Sequence, residues 1–277
     1  MERLTNWHKL WSELSDIQER AFSRKKEHQA DDFWRHKAKQ FDKAVDKRWS
    51  KPDSSRDFLV QKLKDNPGST LLDIGAGTGK WSLLVAPHTT KVTALEPSLA
   101  MQEVLRAKIQ KEETINIDIV SGTWPEDDVA PHDYVLASHS MYGVADFEAF
   151  VNKMNRTAQK ACILVMRAPF AKSVMAMAAQ HVFGQPYDSP NFQIAYNILL
   201  GMDIYPDVIM EGVGSWSAWT HESYAAALID IKNRLDLADN SEYDDFLLDL
   251  LKKHLSFKDE NLVWPNGNRS ALVYWDV

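Results

Sequence analysis

The chain has 277 residues, 44% of them hydrophobic and 26% charged, which is enough apolar material for one large core and excludes wholesale disorder. Its net charge of -7 argues against a nucleic-acid partner, because such proteins carry a basic face. The single cysteine, Cys162, excludes an internal disulfide framework, and it sits in the apolar run Ala161 to Met166 as a small buried hydrophobe.

The first residues, MERLTNWHKLWSEL, lack the uninterrupted apolar stretch of a signal peptide. No segment reaches the roughly 18 apolar residues of a membrane span. A soluble, cytoplasmic protein with no membrane partner is expected. Residues 1 to about 66 read as helical: Leu4, Trp7, Trp11 and Leu14 recur at helical spacing, as do Phe33, Trp34, Phe41, Val45 and Trp49 in part. The amphipathic start at Leu4, Trp7 and Trp11 is a candidate homodimer contact. The basic cluster Arg24 to Lys26 and the stretch Arg35 to Arg48 are interleaved with acids and read as solvated helix faces. Pro52 interrupts the pattern, Asp53 to Leu63 resumes it, and Asn66-Pro67-Gly68 stops it.

From Ser69 short apolar runs alternate with helical patterns. Strands are expected at Thr70 to Ile74, Val92 to Leu95, Ile115 to Val120, Tyr134 to Ala137 and Ala161 to Arg167. Helices are expected at Lys80 to Ala86, Leu99 to Ile109 and Phe147 to Ala158. Such alternation implies parallel strands joined by crossovers. Beyond Pro169 the pattern loosens. Helices follow at Lys172 to Phe183, Phe192 to Gly201, Thr220 to Leu235 and Ser241 to Leu255, the last two with Thr220 and Ser241 as expected N-caps. Asp207 to Val213 reads as a sixth strand, and Ser270 to Val277, after an Asn266-Gly267 turn, as a final one. The expected fold is α/β: a Rossmann-like, doubly wound, mostly parallel sheet of about seven strands with a helical cap and insertions. Residues 1–66 form the cap or lid, 67–168 the cofactor-binding core, and 169–277 an insertion with late helices and the completing strand.

The informative segment is Leu71-Leu72-Asp73-Ile74-Gly75-Ala76-Gly77-Thr78-Gly79. Glycines after a strand permit torsions closed to other residues and let a ligand approach the backbone. A nicotinamide-binding turn is spaced GxGxxG and holds pyrophosphate. Here the third glycine comes one residue early, and Asp73 precedes the first glycine by two positions. An anion there repels a diphosphate and suits a cationic ligand.

With these features the segment resembles motif I of the class I S-adenosylmethionine-dependent methyltransferases, and the resemblance extends from about Ser69 to Arg167. It implies methyl transfer with S-adenosyl-L-methionine as cofactor. Glu96 lies 21 positions after Gly75, where the family's acid accepts hydrogen bonds from both ribose hydroxyls. The resemblance further assigns Gly75, Ala76, Gly77, Gly79, Pro97, Met101, Gly122, Thr123, Trp124 and Ser138 to the cofactor surface. At Gly122-Thr123-Trp124 the family often places an acid for the adenine amino group. This chain departs from that, and Trp124 either stacks on the adenine or packs the loop.

Ala137 to Tyr142 lacks the (Asp/Asn/Ser)-Pro-Pro-(Tyr/Phe) run of adenine and glutamine methylases. His139 is a candidate base or a hydrogen-bonding group, and Tyr142 orients an acceptor or packs. Arg167 pairs with an acidic acceptor or with a surface acid. His181, Tyr187 and Trp216 fall in the cap expected over the acceptor, as acceptor contacts or as structural residues, and Trp34, Phe41, Asp42 and Trp49 either form an N-terminal lid on the cofactor or pack the core of a helical cap. The histidines show no metal-ligand spacing, so no metal site is expected. A lid and an insertion suggest an enclosed pocket and a small-molecule acceptor. The competing readings are a cofactor-binding regulator without turnover and an NAD(P)-dependent oxidoreductase.

Overall fold

Alternation of strand and helix from Thr70 onward builds the central sheet. The computed structural model describes residues 5–26, 37–212, 216, 218–265 and 267–277. Its strands are β1 (Thr70–Ile74), β2 (Lys91–Leu95), β3 (Ile117–Val120), β4 (His132–Ser138), β5 (Ala158–Pro169), β6 (Asp207–Met210), β7 (Thr220–His221), β8 (Ser256–Lys258), β9 (Asn261–Val263) and β10 (Asn268–Asp276). Seven of them order as β3-β2-β1-β4-β5-β10-β6. The first five run parallel, and β10 enters antiparallel between β5 and β6. The expected seven-stranded, doubly wound, Rossmann-like sheet is the fold of this chain. The strand order reverses between β1 and β4, so a crevice opens at their carboxyl ends.

Side chains alternate across the sheet with the period of two that a strand imposes. Leu72, Ile74, Val135 and Ala137 feed one core, while Leu71, Tyr134 and Leu136 feed the core on the opposite face. The third expected strand is shorter than its apolar run: Ile115 is 98% exposed and lies outside β3. Cys162 is buried, as its apolar neighbours suggested, and burial pushes its thiol pKa up.

The helices are α1 (Trp7–Lys26), α2 (Ala38–Trp49), α3 (Ser54–Lys64), α4 (Lys80–Val85), α5 (Leu99–Lys111), α6 (Phe147–Thr157), α7 (Val174–Phe183), α8 (Phe192–Gly201), α9 (Tyr224–Arg234) and α10 (Asp244–His254). Among the described residues no helix is long and apolar enough to cross a membrane. The apolar face of α1 turns inward rather than outward. Trp11 is fully buried against Phe147, with ring centroids 4.2 Å apart, and its Nε1 donates to the Val144 carbonyl at 2.8 Å. Trp7 meets Tyr187 edge to face. Trp7 and Trp11, two of the three residues of the candidate dimer contact, are therefore used within the chain, and truncating a ring such as Trp11 costs about 3–5 kcal/mol. Leu4, Phe33, Trp34 and Asn266 lie outside the described residues.

Helix α3 is capped twice. Asp53 accepts from the Arg56 amide at 3.1 Å. Glu211, just past β6, accepts from the amides of Ser54 and Ser55 at 3.2 and 2.7 Å. These bonds fill the donors a helix start leaves open.

After β5 the chain makes a third core from α7, α9, α10 and a small sheet ordered β7-β9-β8. This corrects two expected caps. Thr220 belongs to β7, paired with Val263, and Ser223 caps α9 by accepting from the Ala226 amide at 3.1 Å. Ser241 closes a turn through its carbonyl, which accepts from the Asp244 amide, and α10 begins only there.

Candidate functional site

The glycine turn is built by a close approach. Gly75 has φ +68°, and a Cβ there would stand 2.5 Å from the Cβ of Ser140, whose hydroxyl donates to the Ile74 carbonyl. The amides of Gly75 and Ala76 both donate to the Leu95 carbonyl, at 2.8 and 3.1 Å, which ties the turn to the end of β2. Gly77 (φ +57°) faces open space.

Asp73 is buried at the end of β1, beside Ala94 of β2. Burial raises its carboxyl to a pKa of about 6, opposed by the Ser82 hydroxyl donating at 2.6 Å and helped by the charge of Glu96. Glu96 spans the two loops at the crevice: one oxygen accepts from the Gly77 amide at 2.8 Å, the other from the Ser98 amide at 2.9 Å.

A cavity of about 680 Å³ opens over the turn and continues toward the ends of β4 and β5. Asp73, Gly75, Ala76, Gly77 and Ser138 line one part, and His139, Tyr142, Arg167, Trp216 and Trp219 line another. Phe41, Val45, Arg48 and Trp49 of α2 cover it. Trp81 also lines it and donates from Nε1 to the Ser138 hydroxyl at 2.8 Å. Helix α2 is fastened to the turn by Asp42, which accepts from the Thr78 hydroxyl at 2.6 Å and pairs with Lys108. Burial alone would raise the Asp42 pKa, but Lys108 and Thr78 bring it below the usual carboxylate range.

His139 stands at the end of β4 with a positive φ of 57°, a conformation uncommon outside glycine that persists where the surroundings enforce it. Its Nε2 lies 3.3 Å from Arg48 Nη2 and its Nδ1 lies 2.9 Å from the Tyr142 hydroxyl. A guanidinium only donates, so Nε2 accepts and Nδ1–H donates to Tyr142, which also accepts from the Arg167 amide at 2.6 Å. Burial, then the charges of Arg48 and Arg167, hold the imidazole well below its usual pKa. A base needs an unshared lone pair, and here that lone pair is taken. Arg48, His139, Tyr142 and the Arg167 amide thus form one hydrogen-bonded chain along the cavity.

The remaining candidates divide. Trp124 does not line the cavity: it is 7% exposed, meets Phe150 edge to face, and donates to the Phe150 carbonyl at 3.3 Å. Packing, not stacking, accounts for it. Thr123 is exposed, and its amide and hydroxyl both bind Asp127, while Gly122 sits against Asp127 and Leu95. Gly79 is buried against Leu105, Pro97 is exposed, and Met101 is buried at the start of α5, where its amide meets the Ser98 cap. None of Glu96, Pro97, Met101, Gly122, Thr123 or Gly79 is on the cavity wall itself. His181 stacks on Phe246 in the third core, away from the cavity.

The sequence hides Arg48, because its stretch of alternating charges reads as a solvated face. The signal was present. Phe41, Ala44, Val45 and Arg48 fall at i, i+3, i+4 and i+7, which places Arg48 on the apolar face of α2.

A glycine turn at the switch point of this sheet, with acids ending β1 and following β2, defines a nucleoside-cofactor-binding α/β protein of the methyltransferase type. The family model described as a methyltransferase domain matches residues 33–195. The chain belongs to that methyltransferase family, and with the family goes the cofactor, S-adenosyl-L-methionine. The chain is 27% identical over 133 residues to "Probable ribosomal RNA small subunit methyltransferase A" of Methanosphaera stadtmanae, covering 48% of each chain. It is 23% identical over 190 residues to "Dimethyladenosine transferase" of Yarrowia lipolytica, covering 68% of this chain and 57% of that one. It thus spans about half the length of these curated relatives. Among solved structures, the YcgJ protein of Bacillus subtilis superposes with a TM-score of 0.52 at 11% identity, over 80% of this chain and 97% of that one. That likeness concerns the fold.

Proposed function

We propose that this chain transfers the methyl group of S-adenosyl-L-methionine to an oxygen, nitrogen or sulfur nucleophile of a small-molecule acceptor by in-line displacement. The observation that carries this reading is the single cavity running from the glycine turn and Asp73 to the His139–Tyr142 pair under α2. Its volume falls in the range of small-ligand sites, roughly 300–1,000 Å³. In this reading Asp73 meets the cationic amino group, Glu96 the ribose hydroxyls, and Gly75, Ala76, Gly77 and Ser138 the cofactor's contact surface. Gly79, Pro97, Met101, Gly122 and Thr123 shape the loops around it.

The sulfonium is an activated donor, so the protein's main task is to align acceptor, methyl and sulfur and to exclude water. His139 and Tyr142 orient the acceptor and take no charge. Residues 1–66 act as the lid, 67–168 as the cofactor-binding core, and 169–277 as the cap with its completing strand.

The RNA methyltransferases among the relatives raise a polymer acceptor as the alternative. The acidic chain and the covered cavity favour the small molecule. The test is a label-transfer screen: purified protein, S-adenosylmethionine labelled in its methyl group, and cell extract separated into small molecules, RNA and protein. Label in the small-molecule fraction is expected. Label confined to RNA or protein rejects the reading.

A further inference from the structure

The cavity is lined by two half-buried arginines, neither of which is paired with a carboxylate among the described residues. Arg48 Nη2 donates to the Ser270 hydroxyl at 2.6 Å and lies 3.3 Å from His139, while its guanidinium covers the Trp216 ring at 4.1 Å. The Arg167 guanidinium covers the Tyr142 ring at 4.0 Å, and its Nη2 reaches only the Gln18 side chain and the Pro190 carbonyl, at 3.4 and 3.3 Å. Its buried Nε has no hydrogen-bond partner. Among the described residues neither arginine forms an ion pair, although Arg20, Arg56 and Arg234 each do.

The nearby acids are otherwise engaged. Asp53 and Glu211 act on Arg48 from a distance but cap α3. Asp188 acts on Arg167 electrostatically without forming an ion pair with it, and its carboxylate accepts from the Ser189 hydroxyl. A partly desolvated positive charge with no acid beside it gains from an anionic partner, and here two such charges line one cavity. The surrounding wall is aromatic: Trp216, Trp219 and Tyr142 line it, each with a guanidinium against one ring face.

We propose that Arg48 and Arg167 receive an oxyanion of the acceptor, so that the molecule methylated is a small carboxylate or phosphate with a flat apolar body. This rests on the cavity being the methyl-transfer site. The cofactor also carries a carboxylate, so two sources of the same chemistry must be separated.

The 277-residue chain is titrated calorimetrically with benzoate, phenyl phosphate and benzamide at saturating S-adenosylhomocysteine, and with S-adenosylhomocysteine alone. At least one anion is expected to bind about tenfold or more tightly than neutral benzamide, the usual scale of a charge-assisted hydrogen bond. Preference for one anion over the other separates carboxylate from phosphate. Arg48→Gln and Arg167→Gln each remove that preference, Arg48→Lys and Arg167→Lys keep part of it, and melting curves confirm that the variants fold. Neither anion exceeding benzamide, with or without detectable binding of any probe, overturns the proposal. So does a preference that survives both glutamine variants. Glutamine variants that lose S-adenosylhomocysteine but keep the anion preference assign the arginines to the cofactor's carboxylate, and the proposal falls. If wild type does not bind S-adenosylhomocysteine, the methyltransferase reading fails instead, and the anion comparison is then read without it.

Discussion

Arg48 Nη2 stands 3.3 Å from His139 Nε2, so a permanent cation occupies the lone pair that a histidine base would use. Burial and the two arginines keep His139 neutral far below its ordinary pKa of 6.5. The rate of methyl transfer is therefore expected to show no limb near pH 6–7 from this residue. His139→Asn keeps a donor and an acceptor and should lower kcat/KM less than tenfold, whereas loss of a general base costs about 10²–10⁴-fold. A limb near pH 6.5 that vanishes in His139→Asn restores the base. The same depression acts on stability. Unfolded His139 takes a proton as pH falls through 6.5 and folded His139 does not, so its contribution is intact above 6.5 and declines below it. Melting temperature against pH, compared with His139→Asn, reads this directly.

Asp73 has the opposite sign. Its folded pKa, raised from 3.8 to about 6, means that the folded chain holds this proton more tightly than the unfolded one. Stability from this group is full below pH 3.8 and lost as pH rises through 6. Asp73→Asn keeps an acceptor for Ser82 and removes a buried charge, so the ligand-free protein at pH 8 is expected to melt at the same temperature or higher. Affinity for S-adenosylhomocysteine should fall more than tenfold in the variant. In wild type it should weaken below pH 6 as the carboxylate is protonated. A variant that binds as wild type does removes Asp73 from the cofactor site.

Asp42 fastens α2 over the turn through Thr78 and Lys108. Asp42→Asn weakens both contacts, and each charge-assisted bond contributes about 1.5–3 kcal/mol at most before solvent screening. Limited proteolysis should cut near α2 faster in the variant, and added S-adenosylhomocysteine should restore much of the protection. Because the Asp42 pKa is depressed, wild type should itself become protease-sensitive there as pH falls below about 4. Equal cleavage rates in wild type and variant at pH 7 would show that the contact does not hold α2 in place.

Gly75 and Gly77 separate two reasons for glycine. At Gly75 an added methyl meets Ser140 and the torsion is left-handed, so Gly75→Ala should cost about 2–4 kcal/mol. At Gly77 only the torsion opposes a side chain, and about 1–2 kcal/mol is expected. The Gly77→Ala methyl enters the cavity space and should weaken S-adenosylhomocysteine binding out of proportion to its small effect on unfolding in urea. Equal unfolding costs for the two variants would refute the steric account.

The local sequence determined the doubly wound sheet, the glycine turn and the acids at positions 73 and 96, because alternation, strand length and turn chemistry are properties of neighbours in the chain. It left the small sheet of β7, β8 and β9 unread, since two- and three-residue strands carry too little period to be seen. Tertiary structure alone decided the rest. Packing against Phe150 took Trp124 out of the crevice, docking of α1 onto α6 and α8 turned Trp11 inward, and docking of α2 carried Arg48 onto His139. A helical period says which residues share a face, but only the surface that face lands on determines whether a guanidinium meets water, an acid or a histidine.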